Sequence, residues 1–164
     1  LALEIRFIVE RLNLLIAQMA QLEERFAEFL REEQALISSV AGVGKVWAPT
    51  IVAEILPVFH PELKNGGRKL VAAAGLDVRL RDSGEFAGKG TMSKRGSRYL
   101  RTAVIQAAGA AVFVAHDPMF TEVYERQRGR GKHHTVALSH VAHKMLHVIF
   151  SVLKNRKPYT PQLN

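Results

Sequence analysis

The chain has no cysteine. That excludes a disulfide framework and a thiolate metal site, and it fits a reducing cytoplasm. Glycine is missing before Gly42 and proline before Pro49, so neither helix breaker interrupts the first forty residues. No apolar run approaches the roughly 20 residues that cross a bilayer, and no signal peptide is visible, which argues against a membrane role. There is no Walker loop, no dinucleotide fingerprint and no acidic cluster of the kind that holds Mg²⁺. The residues therefore present no cofactor site and no metal site. Internal repeats and low-complexity tracts are absent too.

What is present starts with size and charge. At 164 residues and 48% hydrophobic, the chain suits one ordinary domain, or one domain plus an extended element. It begins with Leu and runs straight into a helical pattern, which reads as a piece of a longer protein. Net charge is +8, unevenly spread. Residues 1–40 hold four basic and seven acidic side chains; residues 41–164 hold nineteen and eight. A clustered positive charge favours a polyanion, most often nucleic acid, over charge serving solubility alone.

Residues 1–37 read as one helix. Ile5, Ile8, Leu12, Leu15, Met19, Leu22, Phe26 and Phe29 recur at alternating spacings of three and four, an a/d seam held over four heptads with Glu and Arg on the flanks. This predicts a coiled coil and a homodimer. Leu14 and Ile16 widen the stripe enough for more helices to meet. The alternative is a long helix whose stripe packs on its own domain. Residues 38–158 read as a compact helical domain and 159–164 as a tail, with the chain from Pro158 expected to be poorly ordered. The fold class is mainly α, with one small β-hairpin near residues 78–86, built from Val78, Leu80 and Phe86 across Asp82-Ser83-Gly84.

Gly42-Val43-Gly44 reads as the turn of a helix-hairpin-helix element, with Lys45 beside it and Pro49 in the first turn of the next helix. Free N–H groups at that helix start suit a DNA phosphate, without base readout. A plain helix–helix turn is the alternative. Gly75 to Arg101 is the chemically richest stretch. From Arg79 to Arg101 it carries seven Lys/Arg against two acids, and its serines include Ser83 and Ser93. A hydroxyl among cations, on backbone that glycine lets approach closely, suits chemistry on a phosphate. The bland alternative is a solvated basic loop.

Ser97 reads as the N-cap of a helix, Arg98–His116, whose small-residue face is Ala103, Ala107, Ala108, Gly109, Ala110 and Ala111. Arg98 and Arg101 stand in its first turn, against the helix dipole, so a nearby anion would explain them. Met119–Gln127 reads as a short helix. Arg126–Lys132 reads as a basic loop bringing Arg128, Arg130 and Lys132, and Thr135–Lys154 as a strong helix. Its His140, His143 and His147 share one stripe. That spacing suits a metal, but no Asp or Glu lies between Thr135 and Lys154, which favours neutral or partner-facing histidines.

The order of these motifs resembles a known family. The order is AGVG at 41–44, GL at 75–76, SG at 83–84, SKRG-x-x-YLR at 93–101, an alanine-rich helix, GRGK at 129–132 and a final apolar helix. From Ile37 to Tyr159, with the coiled coil before it, the chain resembles the C-terminal transposase domain of the bridge-RNA-guided, DEDD-type insertion-sequence transposases of bacteria and archaea. The resemblance implies a separate N-terminal domain of RNase H-like fold with Mg²⁺-binding acids, a structured guide RNA and DNA as partners, and a dimer or tetramer. It implies a serine that attacks a DNA phosphodiester. The family's SG serine matches Ser83, with Ser93 the alternative. Lys89, Lys94, Arg95, Arg98 and Arg101 would supply cations. Asp77-Val78 stands where the family usually has a proline. The fragment alone is expected to bind nucleic acid without recombining it; the alternative is a non-catalytic helix-hairpin-helix nucleic-acid-binding and dimerisation module in which Ser83 is incidental.

Overall fold

The computed structural model describes residues 2–79, 82–83, 86–87 and 91–161. It contains seven α-helices among the described residues: α1 (Ala2–Phe29), α2 (Arg31–Ser38), α3 (Trp47–Ile55), α4 (Gly66–Ala73), α5 (Arg98–Phe113), α6 (Pro118–Gly129) and α7 (His134–Asn155). A 3₁₀ turn at Leu56–Val58 extends α3. Four two-residue strands, β1 (Val78–Arg79), β2 (Asp82–Ser83), β3 (Phe86–Ala87) and β4 (Thr91–Met92), lie between α4 and α5. The chain divides into two units, Leu1–Glu32 and Glu33–Asn164.

The first unit is essentially α1, about 40 Å long at 1.5 Å per residue. The single helix expected over 1–37 is instead two, interrupted at Leu30. The seam residues Ile5, Ile8, Leu12, Leu15, Met19 and Leu22 are all exposed, as are Phe7, Leu14 and Ile16. The side chains of Phe26 and Phe29 lie outside those described.

The second unit is built on α7. Its apolar residues recur every three or four positions, so one stripe buries Val141, Met145, Leu146 and Ile149 completely. This helix is long and apolar enough by composition to pass for a membrane span, yet half of its apolar window is buried in the domain. α4, α5 and α6 pack against α7, and α3 packs against α5. The small residues of α5 explain the closeness of these contacts. Ala103, Ala107, Ala108 and Ala111 are fully buried. A Cβ on Gly42 would lie 2.2 Å from the Ala107 carbonyl oxygen and 2.4 Å from the Ala111 nitrogen. Gly109, expected on that face, has open space beside it instead.

Local signals set the helix ends. Ser97 accepts hydrogen bonds from the Tyr99 and Leu100 N–H groups and so caps α5. Asp117 caps α6 by accepting from the Phe120 N–H, with Pro118 at the first helical position. α6 runs on to Gly129, so the basic stretch expected as a loop from Arg126 is helical over its first four residues.

The end of the chain corrects another expectation. Tyr159 is held in place: its N–H donates to Ser39 Oγ at 2.8 Å, and its hydroxyl donates to Asp117 Oδ2 at 2.9 Å. Its ring lies 6.0 Å from that of Phe120. Asp117 is only 3% exposed, so this hydroxyl satisfies a buried carboxylate. Burial, then the Asp117 hydrogen bond, push the phenol's pKa up from its ordinary value.

Candidate nucleic-acid interface

The serine-bearing segment leaves the domain at the end of α4. Gly75, at φ +64°, ends that helix in a Schellman turn, with the Leu76 N–H donating to the Val71 carbonyl and the Gly75 N–H to the Ala72 carbonyl. The chain then pairs with itself twice. β1 runs antiparallel to β4, matching Val78 with Met92 and Arg79 with Thr91. β2 runs antiparallel to β3, matching Asp82 with Ala87 and Ser83 with Phe86. Among the described residues, Ser83 and Phe86 are thus the inner pair of this ladder. Val78 faces Met92 across the ladder, and not Phe86 as expected of a single hairpin. Leu80, Gly84 and Lys89 lie outside the described residues, as does the Ser83 side chain.

The segment returns to α4 through Ser93–Ser97, and the contact there is close. The Lys94 N–H donates to the Gly75 carbonyl at 3.0 Å and the Ser97 N–H to the Ala73 carbonyl at 2.7 Å. A Cβ on Gly96 would lie 2.0 Å from the Ala73 oxygen and 2.4 Å from the Gly75 nitrogen, so only glycine fits. Ser93 is engaged twice. Its N–H donates to the Asp77 carbonyl at 2.9 Å, and its hydroxyl donates to Asp77 Oδ1 at 2.5 Å. Asp77 and Ser93 are sixteen residues apart, and sequence reasoning did not join them.

The cations divide by role. Lys94 and Arg95 are exposed, and Arg98 lies over the exposed Tyr99 ring, 4.9 Å from its centroid. Arg101 differs. Its Nη1 donates to the Ala74 carbonyl at 2.9 Å, at the C-terminal end of α4. The carbonyl-rich end of a helix dipole favours a cation. That contact accounts for Arg101 in place of the anion expected from its position in α5. Arg128, Arg130 and Lys132 are exposed where α6 gives way to α7, and Arg128 Nη1 donates to the Lys132 carbonyl at 2.6 Å.

At the expected helix-hairpin-helix turn, Gly42 has φ +82° and sits against α5. The Gly44 carbonyl accepts from both the Trp47 and the Ala48 N–H groups. Two amides at the start of α3 are therefore engaged, and Pro49 has none. The exposed Lys45 is the group at this turn best placed to meet an anion.

His143 and His147 stack at 5.0 Å on α7. Burial first, then neighbouring cationic or imidazole groups, hold His140, His143 and His147 below the ordinary histidine pKa. For His140 those neighbours are Lys132 and Arg130; for His143 and His147 they include Arg68. Among the described residues no three His, Asp or Glu side chains come together as a metal set.

Residues 34–125 match the family described as Transposase IS116/IS110/IS902 family. The chain belongs to that transposase family. Its relatives include the insertion element IS900 uncharacterized 42 kDa protein of Mycobacterium paratuberculosis, 31% identical over 144 residues, 87% of this chain and 34% of the relative. The insertion element IS116 uncharacterized 44.8 kDa protein of Streptomyces clavuligerus is 29% identical over 153 residues, 88% of this chain and 37% of that protein. A probable family 20 transposase of Pseudomonas aeruginosa is 30% identical over 110 residues, 66% of this chain and 32% of that protein. The transposase-family chain thus spans about a third of the length of these relatives. The matched region takes in the whole of the Gly75–Arg101 segment.

Proposed function

We propose that this chain is the DNA-binding and nucleophile-bearing part of an insertion-sequence transposase, with Ser83 attacking a DNA phosphodiester. The observation that carries the reading is the match over residues 34–125, which centres on a segment pairing with itself out to Ser83 and clamped to α4 by Gly96. The chemistry needs little else from this chain. Serine oxygen bonds to phosphorus as the departing sugar oxygen takes the electron pair, and the phosphodiester is conserved in the serine link. A new sugar hydroxyl then displaces the serine, so strands exchange without ATP. The exposed Lys94 and Arg95 can hold the phosphate oxygens, with Arg98 beside them bonded to the Tyr99 hydroxyl at 3.1 Å. Ser93 fits a structural role better, because its hydroxyl is committed to Asp77.

In this reading the rest of the protein supplies acids that bind Mg²⁺, and a structured guide RNA pairs with donor and target DNA. The exposed seam of α1 joins two or four copies. The isolated 164-residue chain binds nucleic acid and does not recombine it. A salt titration of duplex binding tests the electrostatic part. The logarithm of affinity should fall linearly with the logarithm of salt concentration, and replacing Arg130 with Gln should flatten the slope by about one unit. A salt-independent affinity would contradict the reading.

A further inference from the structure

Three helices bring together a cluster that the phosphodiester chemistry leaves unused. Phe113 closes α5, Tyr124 lies midway along α6 and His134 opens α7. Phe113 and Tyr124 meet edge to face at 5.1 Å, and His134 lies 5.7 Å from both rings. The Tyr124 hydroxyl and His134 Nδ1 are 2.7 Å apart and share a hydrogen bond. Phe113 is nevertheless 48% exposed, and the next residue, Val114, is 77% exposed. The rings are fixed against one another from three elements, yet Phe113 and His134 remain exposed.

The charge beside them is positive. Arg128 follows Tyr124 by one helical turn, on the same face of α6. Its bond to the Lys132 carbonyl holds the chain that leads straight into His134. Arg130 and Lys132 are exposed on that connection. Nearby on α6, Glu122 is paired with Arg126 at 3.5 Å, and Glu125 is exposed. Pre-set exposed aromatic rings with cations alongside match a nucleic-acid strand whose bases are unpaired. Bases stack on rings, and phosphates meet the cations. A closed duplex offers the phosphates but hides the base faces.

We propose that Phe113, Tyr124 and His134 form a stacking platform for an unpaired nucleobase, flanked by Arg128, Arg130 and Lys132 as phosphate contacts. The inference rests on the reading of this chain as a nucleic-acid-binding domain, and it adds which form of nucleic acid this surface takes. DNA and RNA strands share the required chemistry.

Fluorescence anisotropy on the full 164-residue chain tests it, with four labelled probes of equal length: oligothymidylate, oligouridylate, an abasic strand and a blunt duplex. Phe113→Leu keeps aliphatic bulk while removing the flat ring, so the fold is retained; a melting curve checks this. The variant should weaken binding of oligothymidylate, oligouridylate or both about tenfold, the size of one lost base–aromatic stack. Abasic and duplex affinities should stay within about twofold. Arg130→Gln should weaken all four probes alike. Equal losses on strand and duplex, or no loss on either base-bearing strand, would overturn the platform. If wild type binds strand and duplex but Phe113→Leu does not discriminate, this inference alone fails. Wild type binding none of the probes overturns the nucleic-acid reading as well.

Discussion

Gly96 is where the serine-bearing segment is fastened, so Gly96→Ala is the most informative stability variant. The added Cβ would lie 2.0 Å from the Ala73 oxygen, 2.4 Å from the Gly75 nitrogen and 2.5 Å from the Ala73 carbonyl carbon. All three are backbone atoms, so no side-chain rotation relieves the clash. The loop must lift away from α4 by about 1 Å or more to restore ordinary contact. That strains the Ser97–Ala73 bond at 2.7 Å and the Lys94–Gly75 bond at 3.0 Å. Overpacking costs roughly 1–3 kcal/mol, and each weakened hydrogen bond about 0.5–1.5 kcal/mol. We expect a loss of about 3 kcal/mol, and a melting temperature lower by about 10 °C for a unit of this size. Urea unfolding followed by circular dichroism measures it. The matched control is Gly109→Ala, in the middle of α5 with nothing within 4 Å of the new methyl. There the helix gains about 0.5–1 kcal/mol from reduced backbone freedom. Gly96→Ala within about 0.5 kcal/mol of wild type would refute the clamp.

Tyr159→Phe removes the hydroxyl that donates to Oδ2 of buried Asp117 and should destabilise by about 1–2 kcal/mol in thermal unfolding, since Oδ1 keeps the Phe120 N–H but Oδ2 loses that donor. Glu33 has its pKa lowered, first by the hydrogen bond from Arg156 at 2.7 Å. Its contribution is therefore complete above the ordinary glutamate value of 4.5 and is lost as pH falls through the folded value. Glu33→Gln should make stability less acid-sensitive below that value, by less than about 1 kcal/mol for so exposed a pair. His140, His143 and His147 also have lowered values, with an ordinary value of 6.5 in the unfolded chain. Unfolding takes up protons as pH drops below 6.5, so melting temperature should decline from pH 7.5 to 5.5. Replacing all three with Gln should flatten that decline; an unchanged profile would contradict the assignment.

Much of the fold was legible because its signals are local. Ser97 before Arg98 and Pro49 in the first turn of α3 each act within a turn of their own position. The apolar period of α7 is strong enough to identify it alone. What the sequence hid depends on distance. Tyr159 is held by Ser39 and Asp117, 120 and 42 residues away, so a polar-looking tail gave no hint of docking. Arg101 looked like an anion ligand because its partner, the end of α4, lies 27 residues back. The Phe113, Tyr124 and His134 cluster is assembled from three helices, and no single helical period shows it. The interruption at Leu30 has no glycine or proline to announce it, and nothing in the local sequence accounts for it. At the site, the order of motifs matched Ser83, with Ser93 the alternative. The hydrogen bond from Ser93 to Asp77, sixteen residues back, was not legible there.

The central claim is that Ser83 carries the phosphoryl group, and one measurement addresses it directly. A family-length protein containing this chain would be incubated with its DNA ends, guide RNA and Mg²⁺, then denatured, treated with nuclease and digested with trypsin. Cleavage after Arg81, Lys89 and Lys94 places Ser83 in Asp82–Lys89 and Ser93 in Gly90–Lys94, each the sole serine of its peptide. The account predicts a residual nucleotide mass on Asp82–Lys89, absent from the Ser83→Ala protein. A nucleotide on Gly90–Lys94, or no adduct on either peptide while DNA stays bound, would contradict it.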